Sequence, residues 1–344
     1  MSWHAIETPE IGISGEIINK SFIVYKNDAI AAIVPILIYE MERIKNVFKK
    51  EMVYYGWATP YPALKVDLSE KEREELTKYI FDNIEIIVKE QGVCRAVFSI
   101  FYQQEKVFAE CMKRNVLLDR PGFLDISEHT QTLDLMGTIE EIESGFRKRY
   151  MRYIRANKDK FDIEIITGKN ITQAHREECL SVIKKDTAPE WPEKEIPFMH
   201  STILAGHAVF VRCSLKEGKL PAGYLYVALY KEFAFDFAVA VDNEYKDLRV
   251  SQALKVSAAR YLKSKNIKSY ELGIFTQWSN AHRIASEKQR AITYFKRGFA
   301  NNLLPMFIAE KYYDREYLKL LSDYRLEMLE KDLFLQGGPP HEKI

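Results

Sequence analysis

Residues 207–274 read HAVFVRCSLKEGKLPAGYLYVALYKEFAFDFAVAVDNEYKDLRVSQALKVSAARYLKSKNIKSYELGI, and this stretch decides the fold. His207–Ser214 and Leu220–Tyr230 are apolar runs of strand length on either side of the turn Lys216-Glu217-Gly218. Phe233–Val241 is a third strand that alternates in part. A polar loop, Asp242 to Leu248, leads into a helix over Val250–Ser264, and Ile267–Ile274 is a further strand. Beyond it, Ala281–Lys296 reads as a helix and Leu303–Ala309 as a final strand. Strand pairs followed by helix, strand, helix and strand describe an α/β (α+β) domain with a mixed, twisted sheet.

The first part of the chain repeats this order of elements without visible sequence identity. Ser21–Tyr25 and Ala29–Tyr39 are apolar runs joined by Lys26-Asn27-Asp28, a hairpin signal. A helix opens at the capping box of Ser69 and Glu72 and buries Leu76, Ile80, Ile84, Ile87 and Val88. Gly92 ends it. Val93–Phe101 is then a buried strand, Glu105–Arg114 a short helix and Val116–Leu118 a short strand. Between the two parts, a helix opens at Thr138 and Glu141, with Ile139, Ile142, Phe146, Tyr150 and Ile154 on its buried face. Asp314 to Leu335 reads as an amphipathic helix. The expected domains are 1–128 and 129–335, followed by a loose tail, 336–344.

The chain of 344 residues suits two cores rather than one. With 47% hydrophobic and 29% charged residues it has globular composition, and a formal charge of +1 argues against a dedicated nucleic-acid binder, so any RNA contact is local. Four scattered cysteines without a Cys-x-x-Cys pair suggest free thiols in a reducing compartment. Residues 1–10 carry no secretory pattern, and the longest apolar run, Ala29–Tyr39, is about half of a membrane span. The expectation is a cytoplasmic protein with no transmembrane segment and no DNA partner.

Three segments carry a resemblance to a known family. Gln131 to Thr167 (QTLDLMGTIEEIESGFRKRYMRYIRANKDKFDIEIIT) contains Arg152-Tyr153-Ile154-Arg155-Ala156-Asn157-Lys158. The second is Asp242 to Gly273. The third is Tyr294-Phe295-Lys296-Arg297-Gly298-Phe299, a match to F-K-x-x-F. Together they resemble the second domain of the FemAB aminoacyltransferases, a family similar in fold to the GNAT acyltransferases, with two such domains in tandem. The resemblance implies transfer of an aminoacyl group from aminoacyl-tRNA to the peptide of a cell-wall precursor. An acyl-CoA-dependent N-acyltransferase acting on an amino sugar or small amine is the alternative, and a non-catalytic binding module on the same fold is a third. No tightly bound cofactor is implied; the donor is aminoacyl-tRNA or acyl-CoA, and the acceptor is an amine.

Transfer to an amine requires a neutral amine beside an activated carbonyl and a stabilised oxyanion. In the resemblance, Lys296 supplies the cation for that oxyanion and Phe295 packs beside the reacting groups; otherwise Lys296 merely suits a helix end. The loop before Val250, with Arg249, Ser251 and Gln252, lies where GNAT enzymes cradle pyrophosphate, although it lacks their glycines. Arg149, Arg152 and Arg155 recur every three residues as a stripe that suits phosphates or a solvated face. Asp236, within an apolar strand, and Glu271 are candidate proton acceptors, though alternation also allows a solvated sheet face. Trp278, Tyr245 and Tyr294 are candidate pocket residues. No histidine or cysteine spacing suggests a metal.

Overall fold

Asn27 and Asp28 both adopt left-handed backbone, φ 49° and 59°, which closes the first hairpin as the asparagine-aspartate pair predicts. The computed structural model describes residues 12–54, 57–113, 115–186, 196–276, 279–280 and 283–335. The chain divides into two compact units. Unit 1 comprises Met1–Glu128, Gln277–Ser286 and Pro305–Ile344; unit 2 comprises His129–Thr276 and Glu287–Leu304.

Unit 1 begins with strands β1 (Gly12–Asn19), β2 (Phe22–Lys26), β3 (Ala29–Val34), β4 (Leu37–Ile44), β5 (Val47–Met52), β6 (Thr59–Pro60) and β7 (Ala63–Leu64). The run Ala29–Tyr39, expected as one strand, is two, because Pro35 has no N–H to continue a ladder. Helix α1 (Glu70–Gln91) has both signals read from sequence, a reciprocal Ser69–Glu72 capping box and a left-handed Gly92 cap. It crosses to β8 (Arg95–Ile100), which is buried at every position. Helix α2 (Glu105–Cys111) is shorter than expected, and residues 116–118 form a turn rather than a strand. Asn115 there accepts the Leu117 N–H, which closes the turn instead of a ladder. Strand β9 (Phe123–Asp125) ends this part.

Unit 2 contains β10 (Glu128–Asp134), α3 (Ile139–Ser144), α4 (Lys148–Asn157), β11 (Phe161–Ile166), α5 (Gln173–Lys185), α6 (Ile196–Leu204), β12 (Ala208–Leu215), β13 (Pro221–Tyr230), β14 (Phe233–Val241), α7 (Val250–Ser264) and β15 (Ser269–Ile274). The helix expected from Thr138 has its capping box but breaks at Gly145 and restarts as α4. The sheet order is β10-β15-β14-β13-β12-β11. Alternate residues of its strands face two cores. Val209, Val211, Leu225 and Val227 join Leu254 and Leu262 of α7, while Phe210, Tyr224 and Tyr226 join Val182 of α5 and Met199 of α6. Both faces are thus covered, which explains the near-continuous apolar reading of β12 and β13.

A two-stranded ribbon, β16 (Ser279–Asn280) and β17 (Arg283–Ile284), follows, and α8 is confined to Glu287–Lys296 rather than starting near residue 281, since β17 occupies the intervening residues. Strand β18 (Asn302–Tyr312) and helix α9 (Arg315–Leu335) come last. Residues 305–335, expected in the second domain, belong to unit 1, because β18 pairs with β8 from Phe307↔Ile100 to Tyr312↔Arg95. In unit 1 the order is β1-β4-β5-β8-β18, with β6 on β8, β9 on β18, and a separate sheet β2-β3-β7. The tail, 336–344, lies outside the described residues.

Candidate active site

Each unit contains an antiparallel hairpin whose second strand leads through a helix to a parallel partner: β4–β5–α1–β8 in unit 1 and β13–β14–α7–β15 in unit 2. In unit 2 the parallel pair holds only over Phe233↔Ser269, Ala234↔Tyr270 and Phe235↔Glu271. After that β14 runs on to Val241 and β15 to Ile274 without pairing each other. Bulges lie on both sides of the parting, one where Tyr226↔Ala238 gives way to Val227↔Asp236, the other where Gln131↔Gly273 gives way to Thr132↔Glu271. A bulge bends its strand and re-aims side chains, which is why the two strands diverge here. In unit 1 the equivalent position is filled. There β5 pairs β8 at Glu51↔Arg95 and Met52↔Ala96, and β6 then takes over with Thr59↔Phe98 and Pro60↔Ser99. The Tyr61 N–H donates to the Ser99 carbonyl at 2.8 Å, and Gln104 Nε2 donates to the Tyr61 carbonyl at 3.0 Å. Among the described residues, only unit 2 has the parted strands.

Lys296 ends α8 beside this parting. It is half-buried and makes no hydrogen bond or ion pair with a described residue. Its Nζ lies 3.0 Å from where a Cβ would stand at Gly273, whose φ is +103°. Only glycine takes that backbone comfortably and lets the ammonium approach so closely. Thr293 Oγ1 accepts the Thr276 N–H at 3.2 Å, tying α8 to the end of β15. Phe295 packs with Tyr150 and Phe299, ring centroids 5.7 and 5.5 Å away.

Asp236 and Glu271 are not on a solvated face; their exposures are 3% and 2%. Glu271 accepts from Thr130 Oγ1 at 2.8 Å. Asp236 Oδ2 accepts from Lys255 Nζ on α7, and both partners are buried. Burial lowers the Lys255 pKa, Asp236 opposes that fall, and the nearby charge of Lys296 adds to it. Burial, with the charge of Asp236, pushes Tyr270 well above the ordinary phenol range, and its hydroxyl has no hydrogen-bond partner among the described residues. Gln131, directly across from Gly273, is fully buried, and its Oε1 has no such partner among them either. Sequence reading missed Lys255, Gly273, Tyr270 and Gln131. The available signal was Lys255, a charge set inside an apolar helix run and matched by Asp236 inside an apolar strand.

A cationic face adjoins in the same unit. Arg149, Arg152 and Arg155 of α4 are exposed and make no ion pair with a described carboxylate. Arg147 and Arg149 lie over the Tyr294 ring at 4.0 and 5.6 Å, and Arg152 and Arg249 over the Tyr153 ring at 5.8 and 5.4 Å. Arg249, with φ 63°, precedes α7 and supplies no side-chain cap, while its carbonyl accepts the Gln252 amide at 3.1 Å. Ser251 is half-buried and Gln252 mostly buried at that end. Arg155 faces no described ring, and Tyr245 is partly buried and packs against the core. Trp278 lies outside the described residues. Among the described residues, no group of three or more His, Cys, Asp or Glu side chains could hold a metal ion.

No protein-family model and no curated protein matches the chain. Solved structures do. FemX matches at 11% identity, covering 89% of this chain and 90% of that one, with a TM-score of 0.59. The chain has the fold of FemX. L-PGS from Bacillus licheniformis matches at 12% identity over 89% of this chain and 88% of its own, TM-score 0.55. The C-terminal domain of a putative lysylphosphatidylglycerol synthetase from Agrobacterium fabrum matches at 12% identity, with the same shares of the two chains and a TM-score of 0.53. The likeness to FemX covers most of the chain, and the α/β class, with a mixed sheet flanked by helices, is the architecture observed.

Proposed function

We propose that the chain is an acyl or aminoacyl transferase acting on an amine, with unit 2 as the catalytic unit. The observation that carries this reading is the Lys296 ammonium, without a hydrogen-bond or ion-pair partner among the described residues and held against Gly273 where β14 and β15 part. When the amine attacks the donor carbonyl, negative charge collects on one oxygen, and a fixed cation in a half-buried site stabilises it. Lys296 is that cation, and the parted strands are where the donor lies. The filled equivalent in unit 1 supports a single donor site per chain.

The donor we favour is aminoacyl-tRNA, with a cell-wall peptide precursor or related amine as acceptor. Support comes from the exposed arginines of α4, of which Arg152 shares the Tyr153 ring with Arg249 at the start of α7. Such a face suits several phosphates spread along a backbone. Acyl-CoA remains the alternative donor, since its pyrophosphate suits the same helix end. Thermal stability measured with acetyl-CoA, longer acyl-CoAs, and charged and uncharged tRNA separates them, because a ligand at 100 times its Kd adds about 2.7 kcal/mol. The expected result is a tRNA-dependent rise that fades with salt and is weakened in R152A/R249A. A rise with acyl-CoA alone transfers the assignment to an N-acyltransferase, and no rise with any donor favours a binding module.

A further inference from the structure

Three charged groups lie at the parting of β14 and β15: Asp236 from β14, bonded to Lys255 from α7, and Lys296 from α8, whose Nζ stands against Gly273 of β15. Lys255 is the only charged residue among those that α7 buries, and it is 2% exposed. Two cations and one carboxylate form a competition. Asp236 gives Oδ2 to Lys255 and makes no bond to Lys296, although the charge of Lys296 reaches Lys255. Of the other polar groups around the cluster, Tyr270 of β15 is kept neutral by burial, Gln131 of β10 carries no charge, and Glu271 of β15, a second buried acid, accepts from Thr130 of β10 rather than from either lysine.

A carboxylate buried as deeply as Asp236 requires a cation, and whichever lysine satisfies it is withdrawn from any other anion. The helix run Gln252-Ala253-Leu254-Lys255-Val256 is buried throughout, so Lys255 is fixed by packing while Lys296, at a helix end, is only half-buried. We propose that Lys255 is a positioning residue that occupies Asp236 and thereby keeps the Lys296 ammonium unpaired and available to the transferred group; this rests on the role given to Lys296 above. Lys255 touches no reacting atom. Its effect is to decide which of two lysines the buried carboxylate holds.

The test is competitive labelling of lysine amines on the full chain, with the pH profile of Lys296 read by mass spectrometry. It uses neither donor nor acceptor, so its failure is distinguishable from failure of the transferase reading, which K296M tests separately. In K255M the carboxylate is left for Lys296, whose profile is expected to move up by about one pH unit, or about tenfold less reactive amine at a fixed lower pH. K255R, which keeps the charge, and D236N/K255M, which removes both charges, should return it to the wild-type profile. A merely structural Lys255 would change stability and leave the Lys296 profile unmoved. K255A removes the same charge with a smaller side chain, and the same upward shift is expected of it where K255M does not fold. In D236N the carboxylate itself is gone, so no upward shift of the Lys296 profile is expected. An unmoved profile in folded K255M or K255A, or an upward shift in D236N, overturns the proposal.

Discussion

At Gly273 an added methyl group would stand 3.0 Å from Lys296 Nζ on a backbone that L side chains rarely adopt. G273A therefore tests position separately from charge. K296M should lower turnover at least about tenfold with the fold intact, and G273A should lower turnover while the lysine is still present. Steady-state rates and circular dichroism on both variants check this; wild-type turnover in either removes the contact from the mechanism. Lys296, Asp236 and the α4 arginines were legible in the sequence because each stands out from its surroundings, as a cation after an aromatic, an acid in an apolar strand, or a dense run of charge. Lys255 was not. A lysine in a helix is read as its solvent side, and only the packing of α7 against β12 and β13 shows that this turn of the helix is buried all round. Gly273 was hidden for another reason, since a positive φ in mid-strand comes from a bulge that two distant strands make together.

Among elements, local signals did best where one residue satisfies its own backbone. Both capping boxes, at Ser69 and Thr138, form with the partners read from sequence, and so does the Gly92 stop. Signals that depend on neighbours did worse. Strand β5, VFKKEM, was overlooked because its lysines break the apolar run, yet Glu51 and Met52 are buried by pairing with β4 and β8. The close packing of α4 on the turn after α8 makes a further prediction. The Arg147 N–H donates to the Gly298 carbonyl at 2.8 Å, and a side chain at Gly298 would overlap the Tyr150 ring. G298A should destabilise the protein by about 1–3 kcal/mol, the usual cost of overpacking. Urea unfolding measures it, and Y150A/G298A should lose less stability than the sum of the two single losses.

For the whole molecule, the dominant polar feature is a buried network in unit 1. Glu51 accepts from Arg43, Arg95 and Tyr317, while Glu310 accepts from Arg95 and Arg325. Burial alone would raise the Glu310 carboxyl, but Arg95 and Arg325 outweigh it and hold it at about 2, against an ordinary 4.5. Because the folded value lies below the unfolded one, this group stabilises the protein above about pH 4.5 and loses that contribution as pH falls toward 2. Acid unfolding should steepen in that window, and E310Q should flatten the profile there while lowering stability at neutral pH. Thermal midpoints measured across the window decide it. None of this was legible beforehand, since Arg95 and Glu310 are 215 residues apart and no local pattern links them.

That separation also sets an order of events on the ribosome. Unit 1 is encoded on both sides of unit 2, so synthesis delivers Glu51 and Arg95 early and their partners Glu310 and Arg325 late. At roughly 5–20 residues per second, the nascent first half waits on the order of ten to forty seconds for β18 and α9. Unit 2, complete at Leu304, is the first piece of the polypeptide able to close, and the part made first is the last to be sealed.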